Sequence, residues 1–461
     1  MRRILPAALA ATALLALPAA AQGTGPGAGP GMGLRTGQGT APGANPGMSR
    51  GGRGGGAGGT AANANIAVPS ARAPAVLRDH LEAAVSLDAD SRALEASREA
   101  ARARSALSDS LVPGSFAVSG SIRGDARGPR TAREGQVELA APLWLPGQRS
   151  AVAETVVRDV ASAEERLGLR RLELSGLLRE AWWEAALRRA EMRVQRDRLA
   201  TAGDLVNEAR RRVDLGEVAE PDLLLAQNER VSAELALAQA QAAEEAAVLA
   251  YRTLTGGADP GQGAEERALP GQHPALRAAA AAVEAAEAQV RLVAATPIDN
   301  PELGGFVMRQ EGDVTEQGTS FGLRLRVPLP SAARNRPREA AAQAELTSAG
   351  SRLLQVRRLT EAAAVRAEAA LRRAEEAQTL ARRRLSIAQQ QLASGNRAFR
   401  AGEMTLFDLV RIRQIGIDAA STAAQAEVNV GLGRARLNQA LGAEPGSRVV
   451  PARGPAGIPG G

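Results

Sequence analysis

One stretch of the sequence occurs twice, first as Gly216-Glu217-Val218-Ala219-Glu220-Pro221-Asp222-Leu223 and later as Gly402-Glu403-Met404-Thr405-Leu406-Phe407-Asp408-Leu409. The two copies are offset by 186 residues, from position 216 to position 402. The same offset relates a strand-like motif and a terminal glycine: Val137, Leu139, Pro142 and Leu143 match Leu323, Leu325, Pro328 and Leu329, and Gly256 matches Gly442. A register kept over such a distance predicts an internal structural repeat.

Composition restricts the class of protein. Hydrophobic residues make up 44% of the 461 residues but aromatic residues only 2%, and alanine supplies much of the apolar total. Such a chain favours narrow helix-to-helix contacts over a thick globular core. The sequence has no cysteine, which excludes disulfides and a lipid-modified N-terminal cysteine. The net charge of +7 would suit a nucleic acid, but the arginines lie among glutamates, as in Arg188-Arg189-Ala190-Glu191, a pattern typical of a solvated helix face.

The N-terminus predicts export. Arg2 and Arg3 precede a short apolar stretch and Ala19-Ala20-Ala21, the pattern of a secretory signal peptide cleaved after Ala21. The apolar stretch is too short to cross a bilayer as a helix. We predict a signal peptide (1–21), a glycine-rich disordered lead (22–74), a first repeat (75–256), a linker (257–272), a second repeat (273–442) and a disordered tail (443–461).

Each repeat is predicted to contain a helix, a β-hairpin and a long helical hairpin. The expected helices are 75–111, 147–215 and 222–254 in the first repeat, and 274–295, 332–401 and 405–441 in the second. Helix 222–254 has an apolar stripe at helical spacing, formed by Val231, Leu235, Ala238, Ala242, Ala246, Leu249 and Thr253. The longest helices span roughly 100 Å and need neighbours along their whole length. We expect helix 274–295 to stack on the end of helix 222–254, and the N-terminal helix to fill the equivalent place in the second repeat.

Four strands per chain are predicted from alternating apolar and polar residues. In the last strand, Phe321, Leu323, Leu325 and Val327 alternate with Gly322, Arg324 and Arg326. This alternation is typical of a membrane barrel strand with an aqueous interior, and a half-buried strand on a soluble core gives the same pattern. Four strands are too few to close a membrane barrel, since the smallest has about eight. Export, and the lack of other β-structure to pack on, favour a barrel shared between subunits.

These motifs resemble the TolC family of outer-membrane efflux proteins, the outer components of tripartite pumps and type I secretion systems. The resemblance covers roughly residues 75–445 and rests on the L-x-x-P-L strand ends (139–143 and 325–329), the two G-E-x-x-x-x-D-L turns and the terminal glycines. It implies a mainly α fold of two internal repeats of long antiparallel coiled-coil helical hairpins. It also implies a four-strand contribution to a trimeric outer-membrane β-barrel of twelve strands. The protein would lie in the outer membrane of a Gram-negative bacterium, in contact with its lipid, and extend into the periplasm.

The resemblance further implies that the two glycine-containing turns are periplasmic tips. An adaptor (membrane fusion) protein of an inner-membrane pump would dock there, on Gly216, Glu217, Asp222, Gly402, Glu403 and Asp408. A structural interpretation is compatible with this one: in each turn a glycine ends one helix and an aspartate caps the next.

A second set of candidate residues lies on the strands. Glu138, Arg324 and Arg326 are predicted to line the barrel lumen and to bias its ion preference, and the alternative is a polar face that water simply solvates. His80 and His273 have no second metal ligand at helical or loop spacing. Trp182 and Trp183 are predicted to be packing residues.

The sequence contains no Ser/His/Asp set, phosphate loop or metal cluster, which argues against an enzyme and against a cofactor. We therefore predict a passive outer-membrane exit duct, a homotrimer whose transport energy comes from an inner-membrane partner, with no role in nucleic-acid binding. The main alternative is a periplasmic coiled-coil adaptor or structural protein. An adaptor would carry one helical hairpin and compact β domains, whereas this sequence predicts two hairpins and four strands. A nucleic-acid-binding coiled coil is a third possibility, which the predicted export disfavours.

Overall fold

The computed structural model describes residues 73–124, 132–312 and 317–448. In chain order its elements are α1 (Ala73–Leu87), α2 (Ala89–Ala103), α3 (Ser105–Asp109), β1 (Ala117–Gly124), β2 (Ala132–Pro142), α4 (Gln148–Asp214), α5 (Glu220–Thr255), α6 (Pro274–Ala294), β3 (Glu302–Gly312), β4 (Gly318–Arg326), α7 (Ala332–Arg400) and α8 (Leu406–Ala440). The predicted signal peptide, nearly all of the glycine-rich lead and the tail beyond residue 448 lie outside the described residues.

The predicted helix over 75–111 is three helices rather than one. Asp88 interrupts it, because its carboxylate accepts a hydrogen bond from the backbone N–H of Ser91 at 2.8 Å and caps α2. The same carboxylate receives the Arg170 guanidinium of α4, with Nη2 at 2.8 Å from Oδ1. This ion pair lowers the pKa of Asp88. The break in the N-terminal helix is therefore fixed by its contact with α4.

Two long helices organise the helical part of the molecule. α4 has 67 residues and α7 has 69, so each is roughly 100 Å long. As predicted, α4 forms a hairpin with α5, and α7 forms one with α8. α4 also packs against α8, which gives the order α5, α4, α8, α7 beside the turns. Towards the sheet, the order of neighbouring helices is α2, α4, α6, α7. The helix α7 therefore forms one edge of the helical layer over its whole length.

The short helices stack in the opposite way from that predicted. α6 begins at the end of α8, where a Cβ on Gly442 would lie 2.7 Å from Cδ of Pro274. Gly256, at the end of α5, instead lies against Leu87, the last residue of α1. The N-terminal helices pack on α4, and not beside α7. The prediction was wrong because it placed α6 directly after α5 in space, whereas the linker crosses to the other hairpin.

The linker, residues 257–272, crosses α4 on its way from α5 to α8. Arg179 of α4 holds Glu265 of the linker through two bonds, Nε to Oε2 at 2.8 Å and Nη2 to Oε1 at 3.1 Å. Both side chains are buried, at 2% and 4% exposure. Beyond this pair, the Asn438 side chain accepts the backbone N–H of Ala268 at 2.9 Å. A buried ion is tolerated only when it is paired and hydrogen-bonded, so this pair ties the crossing to one position on α4.

A small aromatic core lies where the linker crosses α4. Trp182 is 2% exposed, stacks edge-on against Tyr251 of α5 with ring centroids 6.0 Å apart, and covers Gly261 of the linker. Trp183 lies directly over Gly431 of α8, where a Cβ would come within 2.0 Å of the indole ring. The prediction that both tryptophans are packing residues is confirmed.

The predicted apolar stripe of α5 does not face α4. Val231, Leu235 and Leu249 are 62%, 61% and 63% exposed. The buried face of α5 consists of other residues, among them Ala226 and Ala233. Small side chains on that face allow α5 and α4 to approach closely, while the larger apolar residues project from the edge of the helical layer.

The four strands form one antiparallel sheet in the order β1-β2-β3-β4. Each repeat supplies one hairpin, and the pairing of β2 with β3 joins the two hairpins. β1 and β4 are the edge strands and, among the described residues, neither has a neighbour on its outer side. The sheet is therefore open at both edges.

Candidate functional site

The two tips are built on the same backbone motif. Gly216 and Gly402 follow the ends of α4 and α7 with φ values of 75° and 76°. In each tip the next residue, Glu217 or Glu403, donates its N–H to a carbonyl five residues earlier, at 2.8 Å and 2.9 Å. This hydrogen bond requires a left-handed backbone conformation at the residue before it, which glycine adopts without steric cost. The predicted helix stops at both glycines are confirmed.

The aspartates of the tips are not helix caps, contrary to the structural interpretation of the sequence. The capping positions belong to Ala219 and Thr405, and Asp222 and Asp408 lie three residues further on. At the second tip the Thr405 hydroxyl accepts the N–H of Asp408 at 3.2 Å and donates to its carboxylate at 2.6 Å. A carboxylate in the first turn is stabilised by the partial positive charge of the helix N-terminus. Each aspartate therefore supports the start of its helix from inside the first turn.

A buried apolar cluster holds the two tips side by side. It combines residues from all four long-hairpin helices: Leu205, Val206, Ala209, Ala226, Phe399, Leu406 and Leu409. Arg212 of α4 joins this cluster to the other tip, since its guanidinium lies 4.3 Å from the centroid of the Phe399 ring. Its Nη2 also donates to the carbonyl of Arg400 at 3.3 Å. Arg212 was missed in the sequence because its partners lie in the other repeat.

The exposed surface of the tips carries both signs of charge. Glu217 and Glu403 are exposed in the turns, and Arg211 and Arg400 are exposed in the last turns of α4 and α7. Arginine near a helix C-terminus is favourable because it interacts with the carbonyl end of the helix. The structure thus brings the tip residues together as one mixed, acidic and basic surface, rather than as a purely acidic one.

One face of the sheet is apolar and exposed. The register aligns the apolar side chains in rows that run across the strands: Ala141, Leu303 and Leu325; Val118, Leu139, Gly305 and Leu323; Gly120, Val137, Val307 and Phe321. The large side chains of these rows are all exposed in the single chain. Strands of 8 to 11 residues match the length of a barrel strand that spans a membrane. The predicted alternation of faces is confirmed, with Leu325 and Arg326 on opposite sides.

The other face of the sheet carries the predicted charged residues, and two of them are in contact. Glu138 on β2 forms an ion pair with Arg324 on β4. The pair spans β3 at Gly304, where a Cβ would lie 2.8 Å from Oε1 of Glu138. The Arg324 guanidinium also lies 5.4 Å from the centroid of the Phe306 ring, an attractive cation–π arrangement. Glu138 is 7% exposed, so this carboxylate is held by its neighbours rather than solvated.

The third predicted residue of this face, Arg326, has a separate partner. Its guanidinium lies 3.7 Å from the carboxylate of Glu302. Glu302, Phe306 and Gly304 were missed as members of the charged face. Gly304 and Gly322 offered a signal, since glycine inside a strand often marks a close approach of another group. Phe306 in fact lies over Gly322.

The histidines have structural partners. His80 Nδ1 is 2.7 Å from the hydroxyl of the buried Tyr251, and His273 Nδ1 accepts the N–H of Ala275 at 3.1 Å at the start of α6. Burial lowers the pKa of both histidines. In the part of the chain that the structure describes, no group of His, Cys, Asp and Glu side chains is arranged to hold a metal ion. Within 73–124, 132–312 and 317–448, none of the helices combines the length and apolar character needed to cross a membrane.

Comparisons with known structures define the class of the fold. The outer membrane protein VceC of Vibrio cholerae superposes with a TM-score of 0.66 and 17% identity, over 80% of this chain and 97% of VceC. CusC gives a TM-score of 0.67 and 18% identity, over 80% and 92%. The MtrE outer membrane channel of Neisseria gonorrhoeae gives 0.63 and 18%, over 81% and 90%. The paired helical hairpins and the small sheet therefore have the fold of outer-membrane channels.

Sequence comparisons lead to the family. Residues 268–443, which include the whole second repeat, match the family described as outer membrane efflux protein. Protein CyaE of Bordetella pertussis is 29% identical over 256 residues, which are 50% of this chain and 54% of CyaE. The chain thus spans about half the length of this relative. The second repeat therefore matches the outer membrane efflux protein family, in agreement with the resemblance to the TolC family.

Proposed function

We propose that the protein is the passive outer-membrane exit duct of a tripartite efflux or type I secretion system. Three copies assemble around one axis, and their strands form a barrel in the outer membrane while their helices form a tunnel into the periplasm. An inner-membrane pump supplies the energy, and a periplasmic adaptor connects the pump to the tips. The protein is exported to this location with a cleaved signal peptide.

The open, two-faced sheet is the observation that carries this proposal. Its edge strands β1 and β4 leave backbone N–H and C=O groups without strand partners in the described chain. Such groups cannot remain unpaired in lipid, and closure into a barrel satisfies all of them. Four strands cannot close alone, whereas twelve strands from three copies can. The exposed apolar rows would then face lipid, and the face with Glu138 and Arg324 would line the lumen.

The helical layer supports the same assembly. Its edges beside the tips are α5 and α7, and both carry exposed apolar side chains: Val231, Leu235 and Leu249 on α5, and Val365, Leu380 and Ile387 on α7. Exposed apolar surface of this extent marks an interaction site. In a cyclic trimer α5 of one copy meets α7 of the next, and each edge covers the other. The layer of four helices becomes a closed ring of twelve.

The assembly is tested by introducing cysteines at the two helical edges, since the chain has no cysteine of its own. L235C combined in turn with single cysteines along α7, between Leu380 and Ile387, should give a covalent trimer on non-reducing gels of outer-membrane fractions. The matched control is A233C, which lies on the buried face of α5 and should give no cross-link. Recovery of the protein as a monomer, or in the soluble periplasm, would refute the exit duct and favour the adaptor alternative.

Docking at the tips is tested separately. A photoreactive amino acid at Glu217 or Glu403 should capture the adaptor in intact cells, while one at exposed Leu359 in the middle of α7 should not. G216W and G402W should abolish export without changing the amount of trimer, because they disturb exposed turns outside the subunit contacts. Active export with adaptor adducts from Leu359 but from neither tip would show that docking occurs elsewhere on the channel.

A further inference from the structure

The ion pair on the charged face joins equivalent positions of the two repeats. Glu138 and Arg324 are 186 residues apart, which is the repeat offset. They therefore occupy the same position on β2 and β4, with opposite charges. Both repeats therefore have a charged residue at this position, with a negative charge in the first and a positive charge in the second.

Local packing holds one member of this pair in place: the Glu138 side chain is buried, whereas the Arg324 side chain is 51% exposed. Gly304 leaves the space through which the carboxylate and the guanidinium meet, because any side chain there would collide with Oε1 of Glu138. Phe306 covers the backbone at Gly322 and presents its ring to Arg324. Because the carboxylate is buried, this charge-assisted contact is stronger than one between two freely solvated ions.

The repeat also predicts how the open edges pair. Ser119 is opposite Glu138 in the first hairpin, and Gly304 is opposite Arg324 in the second, so Ser119 and Gly304 are equivalent. Between the hairpins, Glu138 is opposite Phe306, two residues beyond Gly304. The same register applied to the edges places Arg324 opposite Ser121 of the partner subunit. Ser119 of the partner subunit then takes the place of Gly304, and its small side chain leaves room for a second contact.

We propose that Glu138 and Arg324 form a closed ring of six alternating charges on the inner wall of the barrel. This proposal rests on the trimeric channel proposed above. Each Glu138 would contact Arg324 of its own chain across Gly304 and Arg324 of the partner subunit across a serine. The ring has no net charge, so this level of the lumen does not select solutes by the sign of their charge, and the two residues together determine that neutrality.

Disulfide formation tests the register at the open edges. Residues 121 and 324 are on opposite edge strands of one chain, and three strand spacings of about 4.8 Å separate them, too far for a disulfide. The S121C/R324C variant should therefore form covalent trimers under oxidation and no internal bond. The matched pair S121C/S320C is shifted by four residues and should not cross-link. Covalent trimers from the shifted pair, and none from S121C/R324C, would overturn the ring.

Single-channel recording tests the charges. In bilayers with a KCl gradient, E138Q should shift the reversal potential towards anion selectivity, because three arginines lose their partners. R324Q should shift it towards cation selectivity, and the exchange E138R/R324E should restore the wild-type value. E311Q, on the opposite face of the sheet, is the control and should leave the reversal potential unchanged.

The failures of the two proposals are distinguishable. If the wild-type protein forms neither trimers nor channels, the exit duct and the ring are both wrong. If it conducts, but E138Q and R324Q shift the reversal potential in the same direction, or the exchange does not restore it, the ring is wrong and the channel remains.

Discussion

Replacement of Leu323 by arginine tests whether the apolar face of the sheet meets lipid. Leu323 is 84% exposed in the single chain and lies in the middle of three apolar rows, between those of Leu325 and Phe321. Its neighbours in the same row are Val118, Leu139 and Gly305. No side chain in this row offers a negative charge or a hydrogen-bond acceptor to an arginine.

The expected effect is large because the substitution is repeated in each subunit. An arginine on the lipid face of a barrel costs about 2–4 kcal/mol near the bilayer midplane. Three copies therefore cost roughly 6–12 kcal/mol per trimer, and each 1.4 kcal/mol is a factor of ten in an equilibrium constant. The assembly constant should fall by at least about four powers of ten, which leaves no detectable trimer.

The assay compares the amount of trimer in outer-membrane fractions on non-denaturing gels. The matched control is Ser320→Arg, on the same strand but on the charged face of the sheet, which places the same side chain in the proposed aqueous lumen. L323A separates loss of apolar area from introduction of charge, and it should reduce the trimer only slightly. Equal yields of trimer from L323R and S320R would refute the assignment of the faces.

Three further predictions concern the helical part. Arg179→Met should lower the thermal midpoint of the detergent-solubilised trimer, because Glu265 is left buried without a partner at a cost of about 3–5 kcal/mol; an unchanged midpoint would contradict the role of the pair at the linker crossing. Gly431→Ala should destabilise by about 1–3 kcal/mol through overpacking against Trp183, and the additional change Trp183→Leu should restore part of this loss. Burial holds the pKa of His80 below its ordinary value of 6.5, so the unfolded state binds a proton more readily and stability should fall as pH decreases below about 6.5. His80→Gln should make the thermal midpoint less dependent on pH in that range, and a parallel pH profile would contradict the prediction.

The repeat and the tips could be predicted from the sequence because their signals are local. Gly216 and Gly402 end helices through their own backbone conformation, and the alternation around Leu325 and Arg326 determines which side chains share a face. Each of these features depends on a few neighbouring residues. The resemblance to the TolC family rests on the same local features.

The stacking of the short helices could not be predicted in this way. It is decided by the linker, which crosses α4 under the control of the Arg179–Glu265 pair, and these residues are 86 positions apart. Nothing in the spacing of either residue identifies the other as its partner. The same holds for Arg212, whose contacts at Phe399 and Arg400 join the two repeats. Contacts between residues far apart in the sequence therefore determine the arrangement that local patterns did not predict.

The apolar stripe of α5 shows a different limit. Its period correctly identified one amphipathic face, with Val231, Leu235 and Leu249 in line, but the chain buries the opposite, alanine-rich face instead. Apolar residues at helical spacing indicate that one face of a helix is covered. They do not indicate whether the covering surface belongs to the same chain or to another copy. The side chains that the sequence predicted to be buried are the ones that remain exposed at the edge of the helical layer. A monomer with this stripe in water would lose the stabilisation that its period implies, and the proposed trimer would recover it. The same residues that contradicted the prediction for one chain therefore support the proposed assembly of three.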